Sequence, residues 1–156
     1  MSSKSEFIER QKNQYFHEIT SLGGNLIYAI TAVLFLILAM YNAFSKLLLG
    51  IILIYAVVVI TKMIYFKNRP QKYSYNSFIE KIDASSFPSV HASRSAFLAA
   101  VLMDYFRNFG ISILLAILAL AVVYSRIKLK RHDIIDVSCG IILGILIYFV
   151  VSAVMA

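Results

Sequence analysis

The sequence predicts an all-α integral membrane protein: about five transmembrane helices in one bundle, preceded by an amphipathic helix lying in the membrane interface. Composition is the first reason. Of 156 residues, 60% are hydrophobic and only 15% are charged, and the mean hydropathy is +0.79. A soluble domain carries roughly 25% charged residues. The placement of the charges is the second reason. None falls between Glu18 and Lys46, between Lys46 and Lys62, between Arg107 and Arg126, or after Asp136. Uncharged runs of that length suit bilayer crossings. The third reason is physical: backbone exposed to lipid must pair with itself, so such runs are helical.

Residues 1–21 are polar but patterned. Phe7, Ile8, Gln11, Tyr15, Phe16, Ile19 and Leu22 recur at three-to-four-residue spacing, with Lys4, Arg10, Lys12 and Glu18 mostly elsewhere. That pattern predicts a helix lying in the interface. Residues 22–156 then form a single transmembrane domain. Its first span runs from about Gly23 to Met40, and the second from about Lys46 to Tyr65, after a short turn at Tyr41-Asn42. A polar loop follows from Phe66 to Phe87, bracketed by Pro70 and Pro88, where helices stop and start. Loops of this length in compact proteins tend to carry function.

The third span, Ser89 to Phe106, is the least apolar, with His91, Ser93, Arg94 and Ser95 in its first turns. The fourth runs from Phe109 to Ser125 and the fifth from Asp133 to the C-terminus. The first apolar run starts too far in and is too long for a removable signal peptide. The single cysteine, Cys139, excludes an internal disulfide and reads as a small packing residue. His17 reads as a surface residue of the interfacial segment. The chain shows no internal repeat.

Five spans put the N-terminus, the long loop and the loop between spans four and five on one side. Three polar clusters meet there. Lys62 is followed after six residues by Arg69-Pro70. Pro88-Ser89-Val90-His91 opens span three. Ser125-Arg126 is followed after five residues by His132 and, three residues further, by Asp136. Singly, Lys62 reads as a snorkelling lysine, Arg126 as a charged anchor and Ser89 as a plain helix cap. Together they are parts for phosphoryl transfer through histidine. Lys62, Arg69 and Arg126 offer fixed positive charge to phosphate oxygens. The Ser89 and Val90 N–H groups, at a helix start, can donate to an anion. His132 is placed as nucleophile, with Asp136 one turn on to orient it, and His91 can protonate a leaving oxygen. No metal or cofactor is expected. The cations neutralise the phosphate, and two histidines and a carboxylate among cations make a thin ligand set.

These clusters resemble the signature of the type 2 phosphatidic acid phosphatase superfamily, which includes vanadium haloperoxidases and bacterial acid phosphatases. That signature reads Lys-x6-Arg-Pro, Pro-Ser-Gly-His and Ser-Arg-x5-His-x3-Asp, and ten of its eleven fixed positions match in order. The departure is Val90, where the family usually has glycine; valine serves if its φ is negative, because only the N–H is used. The resemblance implies that His132 becomes a phosphohistidine supported by Asp136, that His91 is the acid, and that Lys62, Arg69, Ser89, Val90 and Arg126 bind phosphate. Ser125 is a supporting position. It implies a metal-independent membrane phosphatase acting on a lipid phosphomonoester or a polyprenyl diphosphate. A lipid phosphotransferase using the same residues and a non-catalytic lipid-phosphate binder or transporter remain open. Keeping both histidines and Asp136 favours an enzyme, because binding needs only the cations.

The expected partners are a lipid phosphate and the bilayer. The net charge of +7 borders membrane spans, so head groups and topology account for it better than nucleic acid. Arg94, outside the signature, is read as touching a head group. Gly140 and Gly144, on the same stripe as His132 and Asp136, are read as a close-packing face within the bundle. Thirteen of the fifteen Lys and Arg residues fall on the motif side, Lys46 and Arg107 on the other. The positive-inside rule then predicts a multi-pass cell-membrane protein with a cytoplasmic active site. The resemblance implies six spans, three before the first motif, and a site outside the cytoplasm. Two spans precede that motif here, which inverts the site.

Overall fold

The computed structural model describes residues 3–71 and 77–155, with side chains from Gln11 onward except Phe78. Lys72, and the side chains of Lys4, Phe7, Ile8 and Arg10 that entered the reading above, lie outside what is described. Among the described residues the chain forms helices and no strand: α1 (Ser3–Leu22), α2 (Asn25–Ile37), α3 (Tyr41–Ile64), α4 (Phe78–Ala84), α5 (Val90–Phe106), α6 (Phe109–Lys128) and α7 (Ile134–Val154).

The N-terminal segment is helical, as its periodicity suggests, and is anchored rather than loose. It packs along α6, with Phe16 edge-on to Tyr124 (6.0 Å between ring centres) and Thr20 Oγ1 2.6 Å from Ser125 Oγ. The first apolar stretch differs from expectation. Gly23-Gly24, poor helix formers, break the helix, so α2 is short and the apolar length reaches back into α1. The stretch suited to crossing a bilayer runs from Gln11 to Ile37. Helices α3, α6 and α7 are also long and apolar enough to cross, whereas α5 has 17 residues and a polar start. Ile64 and Phe109 are more than four-fifths exposed, as befits side chains whose solvent is lipid. The long polar loop is not structureless. It folds α4, capped by the Ser77 side chain, which accepts from the Glu80 N–H.

Helix α5 is the centre of the bundle and packs most extensively on α7, then on α6 and α3. One apolar core, including Leu47, Ile54 and Val58 of α3, Phe97 and Val101 of α5, and Ile147 and Val151 of α7, holds these three together. A smaller cluster of Ala92, Val123 and Val137 joins α5, α6 and α7 next to the motifs. The glycine stripe of α7 lies against α5, as its spacing predicts. A Cβ at Gly140 would stand 2.7 Å from the Ser89 carbonyl, so the backbones touch where side chains would otherwise intervene. At the far end, Lys46 and Arg107 both pair with Asp104, at 3.3 and 3.7 Å.

Candidate active site

The first cluster comes off the end of α3. Lys62 occupies its last turn and is only 7% exposed. A snorkelling lysine would reach for water; this one is buried and lines a cavity. The chain leaves the helix at Tyr65 and runs past Lys67 to Arg69. The Arg69 guanidinium donates to the backbone carbonyl of Asp83 at the end of α4, so the short helix braces the arginine.

The second cluster opens α5. Ser89 is its N-cap, accepting from the Ala92 N–H. The Ser89 N–H, expected to serve an anion, instead donates to the Asp136 backbone carbonyl at 3.1 Å. Ser89 is fully buried and joins α5 to α7. The donors left for an anion belong to Val90 and His91, the first residues of the helix, which have no intrahelical acceptor and sit at the positive end of its dipole. Both line the cavity. Val90 is helical and not among the positive-φ residues, so a glycine is not required there.

The third cluster closes the ring. Ser125 is fully buried and donates to the Val122 carbonyl at 2.6 Å, so Thr20 supplies the proton in the Thr20–Ser125 bond. Arg126 is nearly buried, and its Nη2 lies 3.5 Å from His132 Nε2. His132 sits in the loop before α7, 4% exposed. Its Nδ1 is 2.8 Å from the Ser86 carbonyl. A carbonyl only accepts, so Nδ1 carries the proton and Nε2 keeps its lone pair. Asp136 was expected to hold Nδ1 directly. Its Oδ2 stands 3.8 Å away, within ion-pair but not hydrogen-bond range.

Asp136 has other partners. Its Oδ1 accepts from Lys67 Nζ at 2.7 Å, and its Oδ2 accepts from the Asp133 N–H at 3.1 Å. Asp133 returns the favour, accepting from the Asp136 N–H at 2.9 Å, and this capping box starts α7. Burial pushes the His132 imidazole below its ordinary value. Asp136 pulls it back up, while Arg126 and Arg69 push it further down, and the net shift is downward. Partial burial works against the Lys67 ammonium, but its bonds to Asp133 and Asp136 outweigh that and hold it above its ordinary value.

Lys62, Arg69, Val90, His91, Arg126 and His132 thus line one cavity of about 250 Å³. At ~30 Å³ per water, that is room for a phosphoryl group and its immediate neighbours. Asn25, Tyr55 and Arg94 complete the wall. Arg94 departs from expectation. It is buried and donates to the Gly23 carbonyl at 2.7 Å and to Tyr55 Oη at 2.8 Å, while Tyr55 donates to Asn25 Oδ1 at 2.8 Å. Its guanidinium ties α5 to the α1–α2 break and to α3. The sequence reading did not include Lys67, the Ser86 carbonyl, Asp133, Tyr55 or Asn25. Lys67 alone left a trace, as a further cation inside the six-residue gap of the first motif.

A family model described as the PAP2 superfamily matches residues 43–156. Two solved structures share the fold. The crystal structure of Aquifex aeolicus LpxE superposes with a TM-score of 0.76 at 22% identity, over 92% of this chain and 86% of that one. The second is described as the first transmembrane PAP2-type phosphatidylglycerolphosphate phosphatase, from Bacillus subtilis. It gives a TM-score of 0.62 at 19% identity, over 92% of this chain and 76% of that one.

Proposed function

The chain belongs to the PAP2 superfamily and is a membrane-embedded phosphatase, and on that premise we propose that it dephosphorylates a lipid phosphomonoester or polyprenyl diphosphate through a phosphohistidine on His132. The observation that supports this most is the cavity itself. Four cations, three of them from the signature clusters, share it with two helix-start N–H groups and an imidazole with an unprotonated Nε2. The phosphoryl oxygens lie among Lys62, Arg69 and Arg126 and the N–H groups of Val90 and His91. His132 Nε2 attacks phosphorus and the bond to the lipid oxygen breaks. His91 supplies the proton that the leaving oxygen needs. Water then attacks the phosphohistidine, His91 takes back a proton, the P–N bond breaks and phosphate departs. The cations carry the charge neutralisation, so the reaction proceeds without a metal. The lipid chain stays in the bilayer.

The test is phosphate release by detergent-purified protein with EDTA present, on a panel of lipid mono- and diphosphates, beside His132→Ala. Release by the wild type, none by the variant, and an acid-labile phosphoryl group on His132 are expected. Equal release by both proteins overturns the nucleophile assignment. The charge bias of thirteen to two further supports a cytoplasmic site. A cysteine placed at Lys128, in a Cys139→Ala background, should label in inverted vesicles; labelling only from outside intact cells refutes it.

A further inference from the structure

His132 Nδ1 faces two acceptors, and both are held by one residue outside the family signature. The first is the Ser86 carbonyl. Ser86 is fixed by its N–H, which donates to the Lys67 carbonyl at 2.8 Å, while the Lys67 N–H reaches the neighbouring Ser85 Oγ at 3.3 Å. The second is the Asp136 carboxylate, bound at 2.7 Å by the Lys67 ammonium, which also meets Asp133 at 2.5 Å. Backbone and side chain of Lys67 therefore anchor, separately, the neutral and the charged group that face Nδ1.

We propose that Lys67 is a positioning residue for phosphoryl transfer, whose ammonium holds Asp136 off the imidazole so that His132 rests neutral and ready to attack. This rests on the reading of His132 as nucleophile. Asp136 is fully buried, and a buried carboxylate takes the nearest donor or cation it can reach. With Lys67 in place, Oδ1 is committed to the ammonium and Oδ2 to the Asp133 N–H. The carboxylate cannot swing to Nδ1 and draw a second proton onto the ring. When Nε2 bonds to phosphorus the ring becomes cationic, and Asp136, 3.8 Å away, is the counter-charge that stabilises it. Lys67 thus favours the neutral ring before attack and leaves the carboxylate in range afterwards.

Other charges act on the ring as well. Lys62 of α3, Arg69 of the loop and Arg126 of α6 share its cavity, with His91 and Arg94 of α5 and Asp83 of α4. Asp133 at the start of α7 and the neighbouring Arg131 flank it. Most are cations that keep the ring neutral; Lys67 differs in acting through Asp136, the carboxylate that faces Nδ1.

The variants are Lys67→Met, Lys67→Gln and Lys67→Arg in the full-length, detergent-solubilised protein, with a melting curve for each. The readout independent of turnover is the titration of His132, followed by nitrogen-15 NMR of histidine-labelled protein. Lys67→Met and Lys67→Gln should raise its midpoint by about one unit, the scale of losing one close charge. Lys67→Arg should stay near wild type. In turnover the neutral variants should lose roughly ten- to a hundred-fold in kcat, as supporting-shell changes do, with KM little changed and the acid limb moved up in pH. A purely structural lysine would lower the melting temperature and leave titration and acid limb in place, and that result overturns the proposal. So does a Lys67→Arg protein that is folded and titrates like Lys67→Met. If His132→Ala keeps its activity, the nucleophile reading falls instead, while the titration still decides whether Lys67 sets the charge on His132.

Discussion

Replacing Gly144 with alanine adds one methyl group where α7 meets α5. The new Cβ would lie 2.3 Å from the Ser93 carbonyl oxygen, 3.0 Å from Ala96 Cβ and 3.0 Å from the Phe97 nitrogen. Ordinary contact is ~3.4 Å or more, so one helix must withdraw by about 1 Å. Two of the three obstructing atoms are backbone, which no rotamer change can move. Alanine would favour the helical state by about 0.8–1.0 kcal/mol in an open helix. The overpacking should exceed that, costing about 1–3 kcal/mol. The damage should also reach the site. The same interface carries the bond from the Ser89 N–H to the Asp136 carbonyl, which a 1 Å withdrawal would stretch beyond hydrogen-bond range. The expected result, by circular dichroism melting in detergent and phosphate-release kinetics, is a lower Tm together with a reduced kcat. Gly110→Ala is the control, since its Cβ would meet only Asn108 Oδ1 at 3.4 Å; its Tm should hold or rise slightly. A Gly144→Ala protein that melts and turns over like wild type would refute the close-packing argument.

Three further outcomes follow from the geometry. Arg94→Leu strands the Gly23 carbonyl, while the Tyr55 hydroxyl keeps its bond to Asn25, and should cost about 1–3 kcal/mol, seen as a fall in Tm larger than that of Tyr55→Phe. Val90→Gly should leave kcat within about twofold, since the N–H is retained, while lowering stability by about 0.5–1 kcal/mol; a large gain in rate would show that valine displaces the phosphate. If His132 is the nucleophile proposed above, it attacks as a neutral ring whose proton affinity in the fold is depressed, and the acid limb of kcat/KM should fall below pH 6.5. The sign for stability is the same: as pH drops below 6.5 the unfolded chain takes a proton on this histidine that the folded chain resists, so stability declines toward acid. A limb at or above pH 6.5 contradicts the burial of His132.

The spacing of Lys62, Arg69, His91, Arg126 and His132 was readable because each lies at the end of an apolar run, and those ends had to meet at one membrane surface. The α7 glycines were readable because a stripe at four-residue intervals has few uses other than close approach. The partner of Asp136 was not readable. Helical periodicity places Asp136 under His132, but the choice between Nδ1 and Lys67 is made by a loop that folds back from α3. Ser89 misled for a similar reason. A helix start has free N–H groups in sequence terms, and only packing against α7 shows that one is taken. Arg94 looked like a head-group ligand because a charge in a span needs a partner, and its partners, a carbonyl at the Gly23-Gly24 break and the hydroxyl of Tyr55, carry no pattern.

The polar start of α5 also bears on how the protein is made. A helix with His91, Ser93, Arg94 and Ser95 in its first turns is a poor candidate for insertion alone, since an arginine works against insertion by about +2.5–3.5 kcal/mol at mid-span, less toward the end where Arg94 sits, and its polar neighbours add to that. When α5 leaves the ribosome, Gly23 and Tyr55 already exist to receive Arg94, but α7, its most extensive packing partner, does not. Completion of the last helix should therefore decide whether α5 stays packed in the bundle. Chains stopped before Ile134 should expose α5 to quality-control proteases, and so a truncated phosphatase should be cleared before it can bind lipid.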